Sequence, residues 1–528
     1  MTVDEVPNPK RGRNPFARLR PSASQSASSA AILLMTSSLL SGVLGLVRTK
    51  YINYIFGAGP ETDAYNAAFQ LPEMISYFLV GGVASISLVT ILNRYRAQGD
   101  DEGADRSLSI VLNAMIVVLI LSILVAEVVA PYYTSFFFSG FGPREAALCT
   151  TLTRLLLPAQ LFFFVGGVIG SRLVVRKIFL YQAINPLIYN TGIILGAVFL
   201  HRQFGIYSLA IGVLAGVILG PTTMNLFGAL QSGFRYHPIL NLRHPAFLEW
   251  LRLTFPLMVG VSLVTADSWI LTHFASSSTG GITLLKNAKN LFTAPMGILG
   301  QAAGAASLPF FSALFSQGRH REFGTAVNRA VSRVLAASLL MGAWMIALAT
   351  PLVDLFRGGV FTAADTQAMT LYFTVFAVSI SFWAVQGLYA RGFYAAGDTV
   401  TPAITGWIVT LISIPVYRVL FHASGLTGLA IASDIGIVLQ TLTLAVLIQR
   451  KRLVSFAGLE IGEVAKALAA ALVSWAGAAA VVRYVPHPHT HTADFLIIAA
   501  ASLAWCVLAV AILLLTRSSF IRQLQSRF

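Results

Sequence analysis

Eight polar or charged side chains stand inside runs that are otherwise apolar: Arg48, Asp63, Gln70, Glu73, Asp267, Lys286, Lys289 and Asn290. A cation at the centre of a bilayer costs about 2.5–3.5 kcal/mol on insertion scales, so it faces protein or water rather than lipid. In "SGVLGLVRTKYINYIFGAG", residues 41–59, Arg48 shares one helical face with Ser37, Ser41 and Gly45. Lys50 points about 200° away on such a helix and is expected to snorkel. A second stripe runs Asp63, Asn66, Gln70, Glu73 and Tyr77. A third holds Lys286, Lys289 with Asn290, Thr293, Gly297, Gln301 and Gly304. The three stripes imply a shared hydrated cavity containing Arg48, Lys286 and Lys289. Guanidinium and ammonium groups are phosphate partners, so the implied chemistry is recognition of an anion. Asp63 is also placed to cap its own helix. Glu73 is placed to bridge to Arg48 or a lysine, and Asp267 reads as a coupling or structural carboxylate.

The elements that carry these residues follow from composition. The chain has 528 residues, 56% hydrophobic and 11% charged, with a mean hydropathy of +0.75. Soluble domains are about a quarter charged. Apolar runs of spanning length recur along nearly the whole chain. In lipid such runs must be helices, because every backbone polar group has to be satisfied within the segment. The fold class is therefore an all-α polytopic membrane protein. The net charge of +15 reads as basic cytoplasmic loops, not nucleic-acid binding. Cys149 and Cys506 have no disulfide or metal spacing. No P-loop, HExxH, CxxC or GxSxG is present, so neither an ATP-driven pump nor an enzyme is indicated, and no cofactor or metal. His487, His489 and His491 alternate in "VPHPHTHTADF", but the two prolines make this a linker.

Gly, Pro and charge clusters divide the chain into roughly fourteen helices. The spans are 29–56, 63–94, 107–132, 146–172, 182–201, 205–231, 248–275, 283–315, 328–355, 366–390, 399–420, 425–449, 463–483 and 493–516. Alternate loops are rich in Lys and Arg, which places both termini in the cytoplasm. The segments beginning at Ser85 and Ala305 resemble each other, as do those beginning at Val174 and Tyr389. Both pairs repeat at roughly 220 residues, the mark of an internal-repeat transporter with a midplane site between its halves. The expected organisation is a basic tail (1–28), an N-lobe of helices 1–6 (29–231), a C-lobe of helices 7–12 (232–450), helices 13–14 (451–516) and a cytoplasmic tail (517–528). The GxxxG spacings at Gly212, Gly216 and Gly220 and at Gly300 and Gly304 read as close helix packing.

Three motifs taken in order, "SGVLGLVRTKYINYIFGAGPETDAYNAAFQLPE", "LFTAPMGILGQAAGAASLPFFS" and "ARGFYAAGDTVTP", resemble the MurJ/MviN lipid II flippases of the multidrug/oligosaccharidyl-lipid/polysaccharide exporter superfamily. The resemblance covers essentially the full length. It implies two pseudo-symmetric six-helix lobes around a cationic cavity, with helices 13 and 14 forming a groove for a polyprenyl tail. It implies movement of lipid II, an undecaprenyl-pyrophosphate peptidoglycan precursor, from inner to outer leaflet by alternating access. The expected setting is the bacterial inner membrane and cell-wall biogenesis. The expected partners are a lipid-linked anionic substrate, membrane lipids and cell-wall synthesis proteins. Arg48 matches the functional arginine of the family's first motif, and Asp63 its acidic residue. Gly42, Thr49, Ser76, Tyr77 and Gly81 stand where the family carries charge, and Asn290 stands at the helix-8 arginine with Lys289 one residue earlier. The alternatives are an exporter of the same fold for another polyprenyl-linked glycan or a drug, then a membrane-embedded glycosyltransferase or a non-transporting assembly partner.

Overall fold

The computed structural model describes residues 27–80, 84–259, 263–304, 307–485 and 490–520. The basic N-terminal tail to residue 26, His487, His489, and the tail beyond residue 520 lie outside the described residues, as do the side chain of Gln301 and the packing around Gly300 and Gly304. No strand occurs among the described residues, only an isolated bridge between Gly358 and Phe361.

The chain runs through α1 (Ala27–Phe56), α2 (Pro60–Ala68), α3 (Gln70–Ile75), α4 (Ala84–Ala97), α5 (Asp101–Phe137), α6 (Pro143–Val175) and α7 (Leu180–Leu195). It continues through α8 (His201–Phe204), α9 (Tyr207–Val217), α10 (Asn225–Gln231), α11 (Pro245–Val259), α12 (Leu263–Ala275), α13 (Gly281–Gly304) and α14 (Ser307–Ser316). The last third holds α15 (His320–Ala347), α16 (Ala349–Asp354), α17 (Ala363–Val378), α18 (Ile380–Ala395), α19 (Val400–Arg450), α20 (Ile461–Tyr484) and α21 (His491–Leu515).

Among the described residues, nine helices are long and apolar enough to cross a membrane, or ten if the bent pair α17–α18 is one span. Length alone does not return fourteen spans, for two physical reasons. The 51-residue α19 has non-helical backbone at Gly425, where expected spans 399–420 and 425–449 meet. The expected span 63–94 is divided among α2, α3 and a π-helical turn at Ser76–Val80. Pro72 has no N–H to give the carbonyl of Ala68, and α2 ends there.

Local signals set the helix starts. Asp100 accepts from Gly103 N and caps α5. Thr362 and Asp365 form a capping box on α17, and Pro60 and Pro143 open α2 and α6. Each places an acceptor or a missing donor where the first helical N–H groups lack partners. The Gly212/Gly216 pair is a packing device, as its spacing implied. A Cβ there would lie 2.7 Å from Gly192 O and 2.8 Å from Tyr189 O, so only glycine lets α7 and α9 approach this closely.

The core has three main parts. One cluster, with Leu88, Val111, Phe164 and Trp250, lies in the first half and includes the start of α11. Another, with Phe311, Phe323, Phe393 and Ile448, lies in the second half. The largest joins the two halves through Tyr65, Leu285, Phe292, Phe376 and Tyr417. The loops repeat as well. Gly99 and Gly318, Lys177 and Gly397, Gly205 and Gly425, and Gly233 and Arg452 are positive-φ pairs, each about 220 residues apart. A buried ion pair joins Arg172 to Asp105 at 2.6 Å, both side chains under 10% exposed. Arg172 is therefore a core residue rather than a loop charge.

Candidate substrate-binding site

A chamber of about 250 Å³ opens between α1, α2, α3, α7 and α13. Arg48, Asn53, Asn66, Glu73, Lys286 and Asn290 line it, with Tyr65, Tyr189 and Phe69. Lys286 donates to the carbonyl of Asn66 at 3.3 Å and sits 5.3 Å from the Phe69 ring centre. Among the described residues no ion pair joins Glu73 to Arg48 or Lys286, so the bridge expected at Glu73 is absent from this state. Two cations thus share a polar space with the Glu73 carboxylate, which pairs with neither, beside amides and hydroxyls that can both donate and accept.

Lys289 is elsewhere. It forms an ion pair with Asp267, whose other oxygen accepts from the Tyr417 hydroxyl. Its ammonium lies 4.9 Å from the Trp383 ring centre and 5.5 Å from that of Phe376. It borders a second, mostly apolar chamber of about 220 Å³ between α12 and α13, which shares Lys286 and Asn290 with the first. The expectation of three cations in one cavity is corrected accordingly: Arg48 and Lys286 meet, and Lys289 is neutralised one turn away. Asp434, within electrostatic reach of Lys289 and held by Ser379 at 2.5 Å, was not singled out from the sequence. Its signal was present as a lone carboxylate in the apolar run "AIASDIGIVL".

Asp63 does not line the chamber. It is 1% exposed, and one carboxylate oxygen accepts from Thr283 N at 2.8 Å and from Thr283 Oγ1 at 2.7 Å. Thr283 is the third residue of α13, so Asp63 caps a helix as expected, but that of the other half. Its own helix starts at the N-cap Gly59. Gln70 is also buried away from the chamber, and its side-chain amide has no hydrogen-bond partner among the described residues. The stripe from Asp63 to Tyr77 is therefore not one face. The break before Pro72 and a π-helical turn at Ser76–Val80 divide it, and Tyr77 packs on Trp269 instead. On α1, Ser37 donates to Ala183 O, and Ser41 accepts from Asn190 at 3.3 Å. The small-residue stripe is thus a packing face against α7, and the cavity begins at Arg48.

At one end of the bundle, side chains of one half cap helix ends of the other. Besides Asp63 on α13, the imidazole of His273 is 2.6 Å from Phe137 O at the end of α5. Lys50 donates to Leu355 O at 2.6 Å and Arg357 O at 2.7 Å, just past α16. Lys50 therefore does not snorkel. A carboxylate meets an N-terminus and a cation meets a C-terminus, as the helix dipoles favour. Val360 N donates to Tyr54 O at 3.0 Å. A Cβ on Gly359 would lie 2.0 Å from that same oxygen, so the 355–361 turn can lie flat on α1 only with glycine there.

Comparison with known proteins agrees with this architecture. The family described as lipid II flippase MurJ matches residues 52–516. A lipid II flippase MurJ of Burkholderia cenocepacia is 29% identical over 409 residues, covering 74% of this chain and 78% of its own. A probable lipid II flippase MurJ of Borreliella burgdorferi is 23% identical over 416 residues, covering 76% and 80%. A solved lipid II flippase MurJ in an inward closed conformation superposes with a TM-score of 0.76 at 23% identity, covering 93% of this chain and 99% of the other. An inward-facing multidrug resistance MATE family transporter of the MOP superfamily gives a TM-score of 0.65 at 16% identity, covering 80% and 98%.

Proposed function

The chain belongs to the lipid II flippase MurJ family, and on that premise we propose that Arg48 and Lys286 grip the pyrophosphate of lipid II while its head group crosses. The observation that carries this reading is two cations, neither in an ion pair, in one polar chamber. At about 250 Å³ the chamber is smaller than the usual ligand site of about 300–1,000 Å³. In this state it suits the charged group, and the sugar and peptide would need the wider space of an open form. Asn66, Asn287 and Asn290 offer amides to phosphate and sugar hydroxyls. Lys289 serves the protein rather than the cargo, balancing Asp267 as a structural or coupling pair. Asp63 acts on the outer seal and does not touch substrate.

The protein is a multi-pass membrane protein of a transporter family. We place it in the bacterial inner membrane with both termini cytoplasmic, and read its two halves as repeated six-helix lobes followed by two further helices, fourteen in all. With the outer side capped shut, cargo enters from the cytoplasmic leaflet, and release requires the caps to part. Depletion of the protein, followed by a leaflet-accessibility assay for lipid II, tests this reading. Loss of outer-leaflet lipid II is expected, and an unchanged level in a strain lacking other flippases would refute it. The exporter alternative would leave lipid II unchanged and retain a different cargo.

A further inference from the structure

Lys50 is an intramembrane cation that lies outside the chamber. An ammonium has three N–H donors and no acceptor. Two go to Leu355 O and Arg357 O, and the third points to His491 Nε2 at 3.1 Å. Because Lys50 can only donate, His491 Nε2 must offer its lone pair, and the ring proton sits on Nδ1. That nitrogen faces Asp494 Oδ2 at 3.9 Å. Three units therefore meet at one ammonium: α1, the 355–361 turn, and the head of α21.

The His491 side chain is 49% exposed and the Asp494 side chain beside it 1% exposed, so protons from the outer water reach the imidazole. A second ring proton would remove the acceptor and set two cations face to face at about hydrogen-bond distance. The charged groups around this point are Lys50 from α1, Arg357 from the turn, and Asp494 on α21. The backbone seal between Val360 and Tyr54 closes only while this turn stays on α1.

We propose that His491 is a proton sensor on the outer seal: protonation from outside breaks its contact with Lys50, frees the 355–361 turn and the head of α21, and favours opening of the outer side. This does not depend on what the cargo is. By linkage, whatever stabilises the open seal also favours the protonated imidazole.

The test uses the full-length protein in lipid nanodiscs, with spin labels at Arg144→Cys and Ala364→Cys in a Cys506→Ser background, Cys149 being buried. The two positions are exposed in the first turns of α6 and α17, one in each half. Distances are measured at about pH 8 and about pH 5, either side of the range where imidazole titrates. The separated population is expected to rise about tenfold at the lower pH, roughly the effect of 1.4 kcal/mol. His491→Gln, a neutral acceptor at both pH values, should stay closed at both. Lys50→Met should be more open at both and indifferent to pH. A pH response that survives in His491→Gln, or a wild type that stays closed at both, would overturn the proposal. Arg48→Ala should keep the response, which separates failure of this inference from failure of the cargo reading.

Discussion

Lys286 and Lys289 lie three residues apart on one helix, and their surroundings differ in kind. Lys286 leans on a carbonyl and an aromatic face beside an open polar chamber. Lys289 is locked to Asp267 between two aromatic rings. One turn of helix thus separates a charge that is available from one that is already balanced. A list of intramembrane cations cannot make that distinction, because the partner decides it. A buried ion pair is held by geometry, and removing one member leaves the other charge uncompensated.

The sharpest way to break this comparison is to cut the balanced pair. Asp267→Asn should lower unfolding stability by about 3–5 kcal/mol, read as a fall in thermal midpoint in detergent. The double variant Asp267→Leu/Lys289→Met should recover most of it. A single variant as stable as wild type would mean that Lys289 is as available as Lys286. The next largest effect is on the available charge. Lys286→Met should reduce lipid II flipping on the order of tenfold or more, the scale of one charged contact, with the thermal midpoint unchanged. Glu73→Gln comes third. It removes the carboxylate facing the two cations and should tighten binding of an anionic cargo by roughly fivefold or less, the scale of a solvent-exposed charge contact, measured by titration with pyrophosphate. The smallest is Gln70→Leu. It removes a buried amide without partners and should raise stability by about 1 kcal/mol, with transport intact.

The sequence made the membrane fold readable because hydropathy constrains every span. The resemblance carried by three motifs made the family readable too. The polar stripes bring Arg48 and Lys286 to a common cavity, as the lining of the chamber has them. What the sequence could not convey was partnership across the halves. Lys50 is bonded to two backbone carbonyls more than 300 positions away, and a carbonyl has no residue signature. Asp63 is a helix-capping carboxylate as its position implies, but it caps α13 and not its own helix, because helical spacing says nothing about a neighbour from the other half. The Asp63–Tyr77 stripe assumed unbroken periodicity, and Pro72 with the π-helical turn ended it. The histidine at 491 read as linker because its meaning depends on Lys50, which is brought to it only by the fold.

The central claim is that the Arg48/Lys286 chamber holds the cargo's pyrophosphate. Its most direct test is outer-leaflet lipid II in cells whose only flippase is Arg48→Ala, with membrane level and thermal midpoint matched to wild type. Loss of a fully engaged charged partner costs about 2–5 kcal/mol, so flipping is expected to fall by about 100-fold or more. Wild-type flipping by that well-folded variant would contradict the account.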